Sequence, residues 1–193
     1  MFDTKGRVNA ALALVLLAAA ALACSSLKNL GKNPLDEANR LVREANNDLD
    51  QIDDIWESAD KKRSDLSQAD KDNKPDEVKR ILGDLINDID KGLKLGEDAA
   101  DKFDQASKLD VDAVYKDYLS NKATAARKGV DSFKARREAF IILRDNYQTS
   151  GLPEDKNKDF RAKIDDSNKL WQESVDANKK AKDIQRKNPD KFK

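Results

Sequence analysis

The chain has 193 residues, 38% of them charged and only 6% aromatic, with 37 basic side chains against 37 acidic ones, one cysteine and no histidine. Without histidine there is no Ser-His-Asp or Cys-His catalysis, no histidine-bound zinc and no Glu-x-x-His di-iron motif. With a single cysteine there is no internal disulfide, so stability rests on packing, and four prolines and seven glycines in so charged a chain suit long solvated helices better than sheet.

Taken in order, the chain opens with Lys5 and Arg7 ahead of an unbroken apolar run, Ala10 to Ala23. A basic start, a short apolar stretch and small residues before a cut site mark an export signal. As a helix the run reaches about 21 Å, short of a ~30 Å hydrocarbon core, so it reads as a signal at 1–23 and not as a spanning helix. Cys24 follows at once. The segment Ala21-Leu22-Ala23-Cys24 resembles the lipobox of bacterial lipoproteins, with Ala and Leu in the reverse of the usual order. The resemblance implies cleavage after Ala23, a diacylglycerol thioether on Cys24 and acylation of its new amino group by a palmitate-type chain. Two or more acyl chains anchor a protein stably where one does not. Ser25 and Ser26, in place of an Asp after the cysteine, imply by the same resemblance the outer membrane. Ala21-Leu22-Ala23 also fits the cut of an ordinary secretory signal, which would leave a soluble exported helical protein.

Residues 24–33 form the lipidated N-terminus and a polar tether of at most about 35 Å, which holds the folded part close to the bilayer. Residues 34–188 read as four helices, at about 34–71, 75–107, 111–148 and 153–187, with a tail at 189–193. Pro34, Pro75 and Pro153 each open a helix, with acidic residues in the first turn that favour the positive end of the helix dipole. In the first helix Leu35, Ala38, Val42, Ala45, Leu49, Ile52, Trp56 and Ala59 recur by threes and fours, the spacing of a bundle seam. The second carries its seam from Val78 through Leu85, Gly92 and Gly96 to Phe103, and is expected to continue through those glycines. The third starts near Asp110 and has a looser seam, in which Arg136 or Arg137 intrudes opposite Asp165. The fourth carries Phe160, Ile164, Trp171, Val175 and Ile184, with Ser167, Ser174 and Asn178 near the seam.

These elements predict an all-α, antiparallel up-down-up-down four-helix bundle with long helices. Reflection about the turns near 73 and 150 sets Trp56 beside Gly92 and Trp171 opposite Gly129, a large ring meeting a residue without a side chain in each hairpin. Residues 34–107 carry 12 basic against 21 acidic side chains, and 108–193 carry 21 against 15. That asymmetry reads as an acidic hairpin lying on a basic one.

No string carries catalytic chemistry or a phosphate loop. Asp155, Asn157, Asp159 and Asp166 match an EF-hand count, but Phe160 stands where the sharp turn is needed, so no metal site is read there. The expectation is therefore a non-enzymatic interaction or scaffolding module without cofactor. It would be lipid-anchored at the bacterial cell envelope through Cys24 and present the turns at 72–75 and 149–152 to an unidentified envelope protein. Nucleic acid is a poor partner outside the cytoplasm. The basic run Lys179 to Lys193 reads as a solvated end, with weak contact to anionic head groups as a further reading. The alternative function is a module that holds a small apolar ligand in the seam between the third and fourth helices. A well-packed apolar core favours the first, and a cavity beside Ser167, Ser174 and Asn178 the second.

Overall fold

The computed structural model describes residues 33–192. The export signal, Cys24 and most of the tether lie outside the described residues. The rest forms four helices, α1 Pro34–Lys71, α2 Pro75–Ser107, α3 Ala113–Asn146 and α4 Glu154–Lys187, followed by a 3-10 turn at Pro189–Phe192. They make an all-α, antiparallel up-down-up-down four-helix bundle in which each helix packs on the next.

Local chemistry explains the boundaries. The Asn33 side chain accepts from the Leu35 amide at 3.1 Å and Pro34 takes the first helical position. α3 starts later than expected, because the N-cap is Asp112 and not Asp110: its carboxylate accepts from the Val114 amide at 2.9 Å. Lys191 fixes that cap from the far end of the chain, 2.8 Å from the Asp112 carboxylate. Asn73, at φ 53°, and Gly151, at φ 92°, supply the left-handed backbone that turns the first and last hairpins.

The apolar core runs along α1, α2 and α3. Ala38, Leu41, Phe103 and Leu119 pack at the end where the described chain begins and ends, Ile52, Ile89 and Phe133 at mid-height, and Val78, Leu82 and Tyr147 near the far turns. α2 runs unbroken through its glycines, two of which are packing positions: the Phe133 ring lies 3.6 Å from where a Gly92 Cβ would stand, and Val130 only 2.8 Å from a Cβ at Gly96. α4 supplies no residue to these clusters. Along its whole length it buries Ser167, Ala177 and Ala181.

Charge joins the hairpins as their compositions suggest. Acidic α2 meets basic α3 through Asp90–Arg137 at 2.5 Å and Glu97–Lys134 at 2.9 Å. Among the described residues two carboxylates are buried, Asp48 against Lys102 and Asp88 against Lys62, and both tie α1 to α2. The expected pairing of Arg136 or Arg137 with Asp165 is not made. Arg137 faces α2, and Arg136 reaches Ser167 and Asn168, because that face of α3 looks partly past α4.

The expected tryptophan–glycine pairs share a height, Trp56 and Gly92 lining one small cavity and Trp171 and Gly129 another, but neither glycine has its tryptophan as nearest neighbour. Phe133, from the third helix, covers Gly92, and Trp56 packs on that same phenyl ring. Beside Gly129 the nearest atom is Ser174 Oγ, at 3.6 Å from a Cβ there, while Trp171 lies outward with 49% of its surface exposed. Reflection about a turn fixes height, not rotation about the axis, and α4 is rotated so that its hydroxyls face α3. The last of the described residues are likewise docked and not frayed: Phe192 sits edge-on to Tyr115 at 5.4 Å and to Tyr118 at 5.0 Å.

Candidate functional site

The bundle is open on one side. No Cα atom of α1 lies within 8 Å of one in α4, although α1–α2, α2–α3 and α3–α4 all pack. The cause lies in α3 and α4. Ser132 Oγ donates to the Ser167 carbonyl at 2.8 Å, and Ser174 Oγ to the Ala125 carbonyl at 2.7 Å. A side chain as short as serine reaches a neighbouring helix's backbone only where the two axes come close. α4 is thus drawn onto the small residues of α3 and leaves a groove beside α1.

Three aromatic rings cross the groove at mid-height. Phe133 forms the floor. Trp56 from α1 tilts against it with centroids 5.2 Å apart, and Trp171 from α4 stacks on it at 6.3 Å with the planes 14° apart. On the side of the chain ends lies a chamber of about 240 Å³, floored by Ala126, Gly129 and Val130 and walled by Ile52 and Val175. On the other side lies a wider, more polar space of about 540 Å³, bordered by Asp53, Glu57, Asp60, Arg63 and Arg136.

Two cations stand along the floor. Lys122 donates to Asn178 Oδ1 at 3.2 Å, and its ammonium lies 5.3 Å from the centre of the Phe103 ring. Arg136 donates to Ser167 Oγ and Asn168 Oδ1, with Trp56 at 5.9 Å. Burial pushes both groups below their ordinary range, and a neighbouring positive charge adds to this, Lys182 for Lys122 and Arg63 for Arg136. Arg63 itself lies 4.7 Å from the centre of the Trp56 ring and pairs with Asp60 at 2.6 Å.

Of the residues singled out in the sequence, Trp56, Gly129, Trp171, Ser174 and Asn178 line the smaller chamber together. Gly92 lies beneath Phe133, outside that chamber, and Ser167 is sealed between Ser132 and Arg136. Phe133 and Lys122 are the residues that sequence reasoning missed as groove residues. Phe133 reads as one more seam position, and Lys122 as one solvated lysine among many. The signal that was present is the poverty of α4: a helix with serines where its neighbours carry leucines cannot close a bundle.

Among the described residues no cluster of three or more His, Cys, Asp or Glu side chains is placed to hold a metal ion, and no helix is long and apolar enough to cross a membrane. Comparison with protein-family models, with curated proteins and with solved structures returned no match.

Proposed function

We propose that this chain is a lipid-anchored, non-enzymatic binding protein of the bacterial cell envelope, and that it holds a small apolar ligand in the groove between α1 and α4. One observation carries the reading. The exposed large apolar side chains of the described residues are Leu35, Trp171 and Val175, and the last two line this single groove. Scattered exposed apolar residues need no explanation, but a concave apolar surface with a few polar groups at its edge is the usual form of a small-molecule site. The chamber beside Ser174 and Asn178 favours this function over presentation of the far turns to a protein partner. The membrane attachment rests on the lipobox-like Ala21-Leu22-Ala23-Cys24, and the outer membrane on Ser25 and Ser26.

The test uses the purified protein in detergent-free buffer, titrated with decanol while tryptophan emission is followed. A saturable change is expected, because Trp56 and Trp171 border the groove. Trp171→Ala, with Trp56 as the remaining reporter, is expected to weaken the affinity about tenfold, as loss of a large aromatic contact does. Emission that rises or falls linearly without saturation, in both proteins alike, would remove the groove from consideration.

A further inference from the structure

The chamber carries one polar feature that selects a ligand's head group. Lys122 is half-buried at one end, and its hydrogen-bond partner is the neutral Asn178. Two other partly buried cations in the helix seams are matched to acids, Lys62 to Asp88 and Lys102 to Asp48, whereas Arg136, outside this chamber, has neutral partners as Lys122 does, bonding to Ser167 and Asn168. Lys122 has no carboxylate within 4 Å among the described residues, and the charge that acts on it is the positive one of Lys182. A desolvated ammonium without a counter-charge is costly, and an incoming anion relieves that cost.

The rest of the chamber is apolar. From Lys122 the floor runs along α3 through Ala126, Gly129 and Val130 to Phe133, about 16 Å at helical rise, with Trp171 and Val175 at its side. Asp53, exposed on α1, stands at the rim. About 240 Å³ falls just below the ~300–1,000 Å³ of most small-molecule sites, so a single short tail fits better than the two tails of a bilayer lipid.

Resting on the apolar-ligand reading, we infer that the chamber takes a single-chain amphiphile with a carboxylate head, the head against the Lys122 ammonium and the tail laid over Gly129 and Phe133. The head makes a charge-assisted hydrogen bond to Nζ, the stronger kind of polar contact, and Asn178 helps to position it. The ligand enters from the open side between α1 and α4.

Three probes of equal tail length separate the contributions: decanoate, decanol and decyltrimethylammonium, each kept at concentrations where it is monomeric. Decanoate is expected to bind about tenfold tighter than decanol, as one hydrogen bond to a charged group predicts. The cationic probe is expected to bind weakest. In Lys122→Met the ratio of decanoate to decanol affinity falls to about one, and in Lys122→Arg the preference is retained. Lys122→Gln answers the same comparison if the methionine variant melts early. Equal binding of decanoate and decanol by the wild-type protein, or an unchanged ratio in Lys122→Met and Lys122→Gln, overturns the carboxylate assignment and leaves the apolar groove standing. Failure of all three probes to bind removes the groove function itself.

Discussion

The hydroxyl of Ser132 donates to the carbonyl of Ser167 at 2.8 Å and lies 3.1 Å from the Ser167 hydroxyl. This contact, wholly buried, is one of two serine-to-backbone bonds by which α4 grips α3, beside the buried Ala177 and Ala181. A net hydrogen bond contributes about 1 kcal/mol, whereas each fully buried Leu or Phe contributes roughly 1.5–3 kcal/mol. α1, α2 and α3 are held together by many of the latter, and α4 by few.

Local stability should follow that division. In native-state hydrogen exchange the amides of α4 are expected to exchange through openings well below the global unfolding energy, while those around Leu82, Phe103 and Leu119 exchange only on global unfolding. Ser132→Ala should lower the stability by about 1 kcal/mol and speed exchange in α4 ahead of α1–α3. Uniform protection over all four helices would contradict this account.

The glycines of α2 offer a contrast inside one helix. A Cβ at Gly83 would meet nothing within 4 Å, so Gly83→Ala should stabilise the protein by about 0.5–1 kcal/mol through helix propensity alone. A Cβ at Gly96 would stand 2.8 Å from Val130 Cγ2. Gly96→Ala should therefore cost about 1–3 kcal/mol of overpacking against the same gain in propensity. Urea midpoints of the two variants should move in opposite directions.

The aromatic triad divides structural from surface roles. Phe133 is buried between α1, α2 and α4, so Phe133→Ala should cost about 3–5 kcal/mol. Trp171 is half-exposed, and Trp171→Ala should change stability by about 1 kcal/mol or less. Thermal melts of both variants check the difference, and a large loss in Trp171→Ala would mean that α4 depends on that ring.

Tyr147 gives a pH dependence. Its hydroxyl donates to the Asp70 carboxylate near the far turns, and that bond, with burial, pushes the phenol up to about 12 from its usual 10.0. The folded state then holds the proton more tightly than the unfolded chain does. The contribution is whole below pH 10 and is lost as pH rises from 10 toward 12. Denaturant midpoints measured across this range should fall in the wild type and fall less in Tyr147→Phe.

The anchor is checked by mass. Mature protein extracted from a bacterial envelope should yield an N-terminal peptide that begins at Cys24 and carries a diacylglyceryl group and an amide-linked acyl chain. Cys24→Ser should be released to the soluble fraction. An unmodified N-terminal peptide in the wild type would leave the exported but soluble form as the correct one.

Much of the architecture is written in one dimension. Pro34 and Pro75 stand where α1 and α2 begin, Pro153 caps α4, and the three-and-four spacing from Ala38 to Ala59 names the buried face of α1. These are local properties, set by backbone geometry and helical periodicity, and a linear reading reaches them. Rotation of each helix about its own axis is a different matter. Whether Trp171 turns inward to Gly129 or outward over Phe133 depends on which neighbouring side chains lie close enough to bond. Only packing decided that the α4 serines would grip the α3 backbone, that α1 and α4 would stand apart, and that Lys122 would be left half-buried without an acid. The physical reason is that spacing along a chain fixes which residues share a face, whereas the distance between two axes depends on the size and polarity of both surfaces at once.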